Sequence, residues 1–515
     1  MRAKVKRGRT RTNLVVNVGN FAFNLLVGFW FTPYLIRRLG TGSYGLIPLV
    51  NQITGYMAIA SVLSNTVVGR YVTIALQQDD TEEANRYFNA AFFGNLIIVG
   101  LLAIPACWLA WNIEHLIRVP AGQEVQARWL FICSIICFFL TLTRSVFNVA
   151  TYSTNRLALQ TTVNALANVA RVVLVVLFFS FWRPELWHVS LATLLSGFAG
   201  WGWTIRLWRR LTPMLRVSWS QFQFTAARSL ISTGGWLGLN QVGALLFLAI
   251  DLIVVNRLFG SEAGGRYAAV LHWSVLLRGV ATLLGGVFAP TITYLYARKQ
   301  MSELVAFSRQ AMTFVGLAIG LPIALISGLS APLLKVWLGP EFADLSWLMS
   351  LQTFHLSVNL AMLPLLTIQT ATNHVKLPAI ATAGMGLVNL GLALFLAGPM
   401  HWGLYGVAAA GAMAWTLKNL LFTSIYAALV IGCPWTTFLK TLVSNLYLSA
   451  GTAGLGLLLV WWWHPPGWAG LAGAAFLLAA VYSVIAYRFV LSAKERAIVL
   501  QFAGRLKFPI SPNPK

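Results

Sequence analysis

Apolar residues run through this chain in blocks of about twenty or more, separated by short polar stretches. The block from Asn13 to Gly45 sets the pattern. It reads NLVVNVGNFAFNLLVGFWFTPYLIRRLGTGSYG and is long enough to cross a bilayer. Its polar positions are not scattered. Asn13, Asn17, Asn20 and Asn24 recur at steps of four, three and four, which places four amides on one helical face. Amides are costly against lipid, so this stripe is expected to face protein or water.

With the first block at 13–36, further blocks follow at 45–73, 88–111, 128–152, 157–181 and 186–208. The series resumes at 230–256, 266–297, 308–330, 346–371, 377–398, 403–430, 440–463 and 468–490. Backbone groups in hydrocarbon must pair within the segment. The pattern therefore predicts an all-α, polytopic membrane protein with about 14 transmembrane helices. A basic tail at 1–12 precedes six spans over 13–208. A linker at 209–229, basic with interleaved aromatics, suits the inner membrane face. Six spans occupy 230–430, two more occupy 431–490, and a basic tail at 491–515 ends in a Pro-rich stretch expected to be disordered.

Composition agrees with this class. Of 515 residues, 58% are hydrophobic and 10% charged, more apolar surface than a soluble protein of this size can hide. The first block is a full-length span, not a short leader, and is read as retained. The net charge of +24 sits in short loops and tails, which argues against nucleic acid as a partner. About 25 of the 37 Lys and Arg fall on the side of the two tails and about eight on the other. That bias places both termini in the cytoplasm. Cys107, Cys133, Cys137 and Cys433 show neither zinc spacing nor a disulfide framework and are read as buried structural thiols. No metal or cofactor is expected.

Two landmarks recur. Gly40-x4-Gly45 joins the first two spans, and Gly260-x4-Gly265, 220 residues later, joins the seventh and eighth. IRVPAGQEV at 117–125 precedes the fourth span, and LKVWLGPEF at 334–342, 217 residues later, precedes the tenth. Each copy holds six spans. An even number gives both copies one orientation, so the repeats are expected to be parallel, about an axis along the membrane normal. The glycines suit tight hairpins between spans.

These landmarks resemble those of the multidrug/oligosaccharidyl-lipid/polysaccharide (MOP) exporter superfamily. The best likeness is to its polysaccharide-transporter branch, the Wzx-type flippases of lipid-linked oligosaccharides. The matching elements are Asp251-LIVVNRLF-Gly260-SEAG-Gly265-Arg266-Tyr267 and the LGPEF element at Leu338–Phe342. The resemblance covers about residues 10–490. It implies two six-helix lobes in parallel pseudo-twofold repeat around a central cavity that opens alternately to each side, plus two C-terminal helices. It implies movement of undecaprenyl-pyrophosphate-linked oligosaccharide across a bacterial cytoplasmic (inner) membrane for O-antigen, capsule or exopolysaccharide assembly. The implied partners are that lipid-linked oligosaccharide, membrane lipids, and a polysaccharide polymerase with glycosyltransferases. Drug and sodium antiporters of the superfamily carry several intramembrane acids. Here Asp251 is the one candidate, either for ion coupling or for a structural ion pair with Arg257.

Four cations, Arg144, Arg171, Arg278 and Lys418, lie well inside spans. Each is expensive there unless paired or wet, and one acid cannot neutralise four. A lipid pyrophosphate has the right charge, and Arg offers forked donors to phosphate oxygens. Polar stripes accompany these cations. Gln160, Asn164, Asn168 and Arg171 share a face of span five; Thr141, Arg144, Asn148 and Thr151 share one of span four. Gln352, His355 and Asn359 share one of span ten. The candidate substrate-binding residues are thus Asn17, Asn20, Asn24, Arg144, Asn164, Asn168, Arg171, Arg278, Gln352, Asn359 and Lys418. Such stripes suit sugar hydroxyls and interhelical hydrogen bonds equally well. Two other functions stand beside the flippase reading. One is a same-fold exporter of lipid II or of small molecules by ion antiport. The other is a membrane oligosaccharide polymerase or ligase, against which the short outer loops and lack of a catalytic motif argue.

Overall fold

A computed structural model describes residues 2–57, 59–224, 239–247 and 250–505. The end of the linker (225–229), the start of span seven (230–238) and the tail beyond 505 lie outside the described residues.

Every apolar block is helical where it is described, with single-turn breaks. Helix α1 is Arg2–Leu39, so the described part of the basic stretch is helical and continues into the candidate span at Val15–Leu39. Span two is α2 (Thr41–Met57) and α3 (Ile59–Gln77). Then come α4 (Thr81–Trp111), α5 (Glu124–Phe147), α6 (Leu157–Phe181) and α7 (Leu186–Leu211). Helix α8 (Ile250–Phe259) ends span seven, followed by α9 (Ser261–Ala297) and α10 (Met301–Gly328). Span ten is broken: α11 (Ser346–Phe354) and α12 (Leu363–Ala371) belong to halves that meet at 43°. Next are α13 (Lys376–Ala397) and α14 (Gly403–Leu417), a π-helical turn at Lys418–Thr423, and α15 (Ser424–Ile431). The chain closes with α16 (Leu439–Trp463), α17 (Gly467–Ile485) and α18 (Ala493–Arg505). Helix α18 lies in the basic tail ahead of the Pro-rich stretch, which is outside the described residues, and Ser492 and Glu495 cap its start.

Among the described residues, ten helices are long and apolar enough to cross a membrane, or twelve if each of two bent pairs counts as one span. Two predicted spans, 45–73 and 186–208, fall outside that count. Span two divides into helices of 17 and 19 residues, and α7 is rich in Trp, Gly and Ser. If all fourteen cross, a thiol placed at Gly122 or Gly339 will label from outside intact cells and one at Arg210 will not. External labelling at 210 overturns the topology.

The chain forms two compact units. One is Met1–Ala269 with Val375–Gly411; the other is Val270–His374 with Ala412–Lys515.

Within the first unit the two Gly-x4-Gly landmarks lie side by side, and their glycines do different work. Gly40 and Gly260 have φ of 83° and 95°, in open space, where a side chain strains the backbone. Both make the same turn: Gly40 N–H donates to Ile36 O at 2.9 Å, and Gly260 N–H to Asn256 O at 2.9 Å. Gly45 and Gly265 instead let two backbones touch. A Cβ on Gly45 would lie 2.5 Å from Gly265 N, and one on Gly265 would overlap the Thr41 carbonyl. The second landmark also repeats locally. Gly122 N–H donates to the Glu124 carboxylate at 3.1 Å, and the Glu341 carboxylate folds back against Gly339.

The described part of the linker is pinned to α4 by two asparagines one turn apart. The Asn85 amide donates to Met214 O and accepts from Arg216 N–H (3.0 and 2.7 Å). The Asn89 amide does the same with Arg216 O and Ser218 N–H (2.9 and 2.8 Å). These side chains replace a strand partner for backbone that has none.

Candidate functional site

The amide stripe of α1 meets the polar stripe of α6 in the first unit. Asn13 donates to Asn155 Oδ1 at 3.2 Å and accepts from Ala158 N–H at 2.9 Å. The Thr161 hydroxyl donates to Asn17 Oδ1, and Asn168 Nδ2 donates to Asn24 Oδ1. The last two pairs share one sequence offset, 144 residues. A constant offset means that the helices run parallel, as spans one and five should. Asn24 Nδ2 also donates to Asn20 Oδ1 at 3.0 Å.

The cations hang on this ladder. Arg171 Nη2 donates to Asn168 Oδ1 at 2.8 Å, and its Nε is buried with no partner. Arg144 Nη2 donates to Asn164 Oδ1 at 2.6 Å. Gly200 leaves room for that guanidinium, since a Cβ there would lie 2.8 Å from Nη1. Gln160 Oε1 accepts from Thr151 at 3.1 Å. The ladder thus joins helices, and it also holds two guanidiniums by neutral amides, which leave the charge uncompensated. The Asn24–Asn168 contact should show a coupling of about 0.6 kcal/mol in a double-alanine cycle, the usual size for such pairs. Equilibrium unfolding in micelles measures it, and strictly additive losses would deny the contact.

Asp251 is buried and accepts from the Tyr267 hydroxyl at 3.2 Å. Arg257 is exposed, and the expected Asp251–Arg257 ion pair does not form. Six residues are 1.7 turns of an α-helix, roughly, which turns the two side chains to different sides. Cys133 is buried as expected, but Cys107 is exposed on its helix.

In the second unit, three spans bring their polar groups together. The Arg278 guanidinium from α9 lies 4.5 Å from the ring centroid of Trp415. The His355 ring meets the same indole edge-on at 5.9 Å. Asn359 Nδ2 contacts His355 Nδ1 at 3.0 Å and donates to the Thr416 hydroxyl at 3.0 Å. Asn419 Nδ2 donates to Asn359 Oδ1 at 2.8 Å, and Thr423 donates to Asn419 Oδ1 at 2.9 Å. Lys418 is buried and opens the π-helical turn. Such turns are frequent at functional sites. Both polar atoms of the buried Gln352 side chain lack a partner. The predicted Arg278, Gln352, Asn359 and Lys418 therefore fall on three packed spans. Trp415, Thr416, Asn419 and Thr423 were missed. Steps of three and four from Thr416 to Thr423 were the available signal.

Among the described residues Arg86–Glu82 and Arg128–Glu114 form ion pairs, neither buried, and none joins Arg144, Arg171 or Lys418.

The chain matches the family described as "Polysaccharide biosynthesis protein" over residues 12–296. It is 31% identical over 489 residues to the "Uncharacterized membrane protein EpsK" of Bacillus subtilis (strain 168), covering 95% of this chain and 97% of that one. Solved structures share its fold, two transporters among them. One is the lipid II flippase MurJ in an inward closed conformation, at TM-score 0.65 and 14% identity over 94% of this chain and 99% of that one. The other is an inward-facing MATE multidrug resistance transporter of the MOP superfamily, at 0.63 and 15% over 81% and 98%.

Proposed function

Because the chain belongs to the polysaccharide biosynthesis protein family, within the MOP superfamily of membrane exporters, we propose that it flips lipid-linked oligosaccharide. The cargo in this reading is an undecaprenyl-pyrophosphate-linked repeat unit, carried from the cytoplasmic to the outer leaflet by alternating access. One observation carries it: guanidiniums inside spans are held by amides and an indole. In the first unit Arg144 and Arg171 rest on Asn164 and Asn168, and no acid pairs with them among the described residues. In the second, Arg278 rests on Trp415 beside a chain of amides.

A pyrophosphate suits such groups because Arg presents parallel donors to its oxygens in a site of low dielectric. The sugar suits the amides and hydroxyls, which donate and accept in turn, and the unpaired Gln352 amide has both capacities open. The work is transport, with no covalent step. The break in span ten supplies a discontinuous helix of the kind on which transporters build sites at mid-membrane, and span twelve adds a π-helical turn at Lys418–Thr423.

The test is a vesicle assay. Purified protein is reconstituted with lipid-linked oligosaccharide, and a membrane-impermeant glycosidase reports the leaflet. Protein-dependent exposure of oligosaccharide supports the reading. Exposure of lipid II alone rejects the cargo, and exposure of neither rejects the function.

A further inference from the structure

A cavity of about 800 Å³ lies within the second unit, away from the residues described above. It opens where α9 ends, α10 and α16 begin, and the chain turns from α17 into α18. Its charged lining is Arg309, Lys440, Lys494, Glu303 and Glu495. Both acids are hydrogen-bonded within their own turns, and the cations outnumber them three to two. Glu495 caps α18, accepting from Ser492 N–H at 2.8 Å and from its hydroxyl at 2.7 Å. Glu303 accepts from Gln300 Nε2 at 3.2 Å. The three cations form no ion pair among the described residues.

Two of these cations are oddly placed. Lys440 is the second residue of α16 and Lys494 the second of α18. A helix start is the positive end of its dipole, where a cation is unfavourable. At the start of α18 Glu495 offsets Lys494, but α16 has no acid in its first turn and Lys440 adds to its field. An anion between them would relieve the repulsion and sit at the positive ends of two helix dipoles. The lining also holds the apolar side chains of Leu295, Phe307 and Val490. Helix α18 is held at this edge by Arg496, which donates to Leu491 O at 3.0 Å and to Arg488 O at 2.6 Å. Its Leu500 is exposed, as suits a helix lying on a bilayer.

We propose that this cavity binds the phosphate of an anionic phospholipid headgroup, in the leaflet on the side of the C-terminal tail, and so docks α18 to the membrane. A free phosphate would satisfy the cations alone. The lipid is favoured because apolar side chains share the lining with the cations and the cavity sits at the ends of spans.

The full chain is reconstituted in phosphatidylcholine discs doped with phosphatidylglycerol, released, and examined by native mass spectrometry. Wild type should retain phosphatidylglycerol. Arg309→Gln/Lys440→Gln/Lys494→Gln should retain it at least tenfold less, while Arg309→Lys/Lys440→Arg/Lys494→Arg keeps it. Equal retention by the Gln variant overturns the site. Displacement of the lipid by millimolar inorganic phosphate overturns the lipid in favour of a free anion. If the triple variant does not fold, Lys494→Gln alone decides: retention about threefold lower supports the site, and unchanged retention overturns it.

Discussion

Arg278→Ala should slow translocation roughly 30-fold, since removing one member of a desolvated charge contact costs about 2–5 kcal/mol. Its guanidinium lies against one face of Trp415, which orders the side chain without neutralising it. A guanidinium presents forked donors that match phosphate oxygens. Arg171 should behave alike, because its anchor is the neutral Asn168 amide. Lys at either position keeps the charge but loses the fork, so it should rescue in part. The measurement is the initial rate in reconstituted vesicles at matched protein level. Wild-type rates in both alanine variants would reject a cationic site. Loss of folded protein in place of rate would make these residues structural.

The second large effect is on folding. Gly265→Leu should cost about 3 kcal/mol or more, since overpacking a tight contact forces backbones apart. The added Cβ would meet the Thr41 carbonyl, which is backbone and cannot rotate away. Gly45→Ala should act in the same direction through Gly265 N. Gly40 and Gly260 offer the contrast. Their surroundings are open and only φ is restrictive, so Asn, which tolerates the left-handed region, should be accepted there. Asn at 45 or 265 should not be accepted. Folded yield by fluorescence-detected size exclusion separates the four positions. Equal yields for Gly40→Asn and Gly45→Asn would deny that the landmarks pack as described.

The sequence by itself determined the all-α membrane class, the blocks that became helices, the two glycine landmarks and the place of the four cations within those helices. Each follows from a local rule. Lipid forces backbone to pair within the segment, and a period of three to four residues puts amides on one face. That period names a face but no partner. The tertiary structure alone decided that the α1 stripe zips to α6 at one offset, that Gly45 meets Gly265, and that Asp251 turns to Tyr267 and away from Arg257. It also supplied Trp415 to Arg278, because a ring partner across two helices depends on their crossing and rotation. Apolar aromatics such as Trp415 look alike along a membrane span, whether they face lipid, a neighbour or a guanidinium. The basic cavity at α16 and α18 was hidden for the same reason. Lys440 and Lys494 are 54 residues apart in the chain, and only packing sets two helix starts around one space.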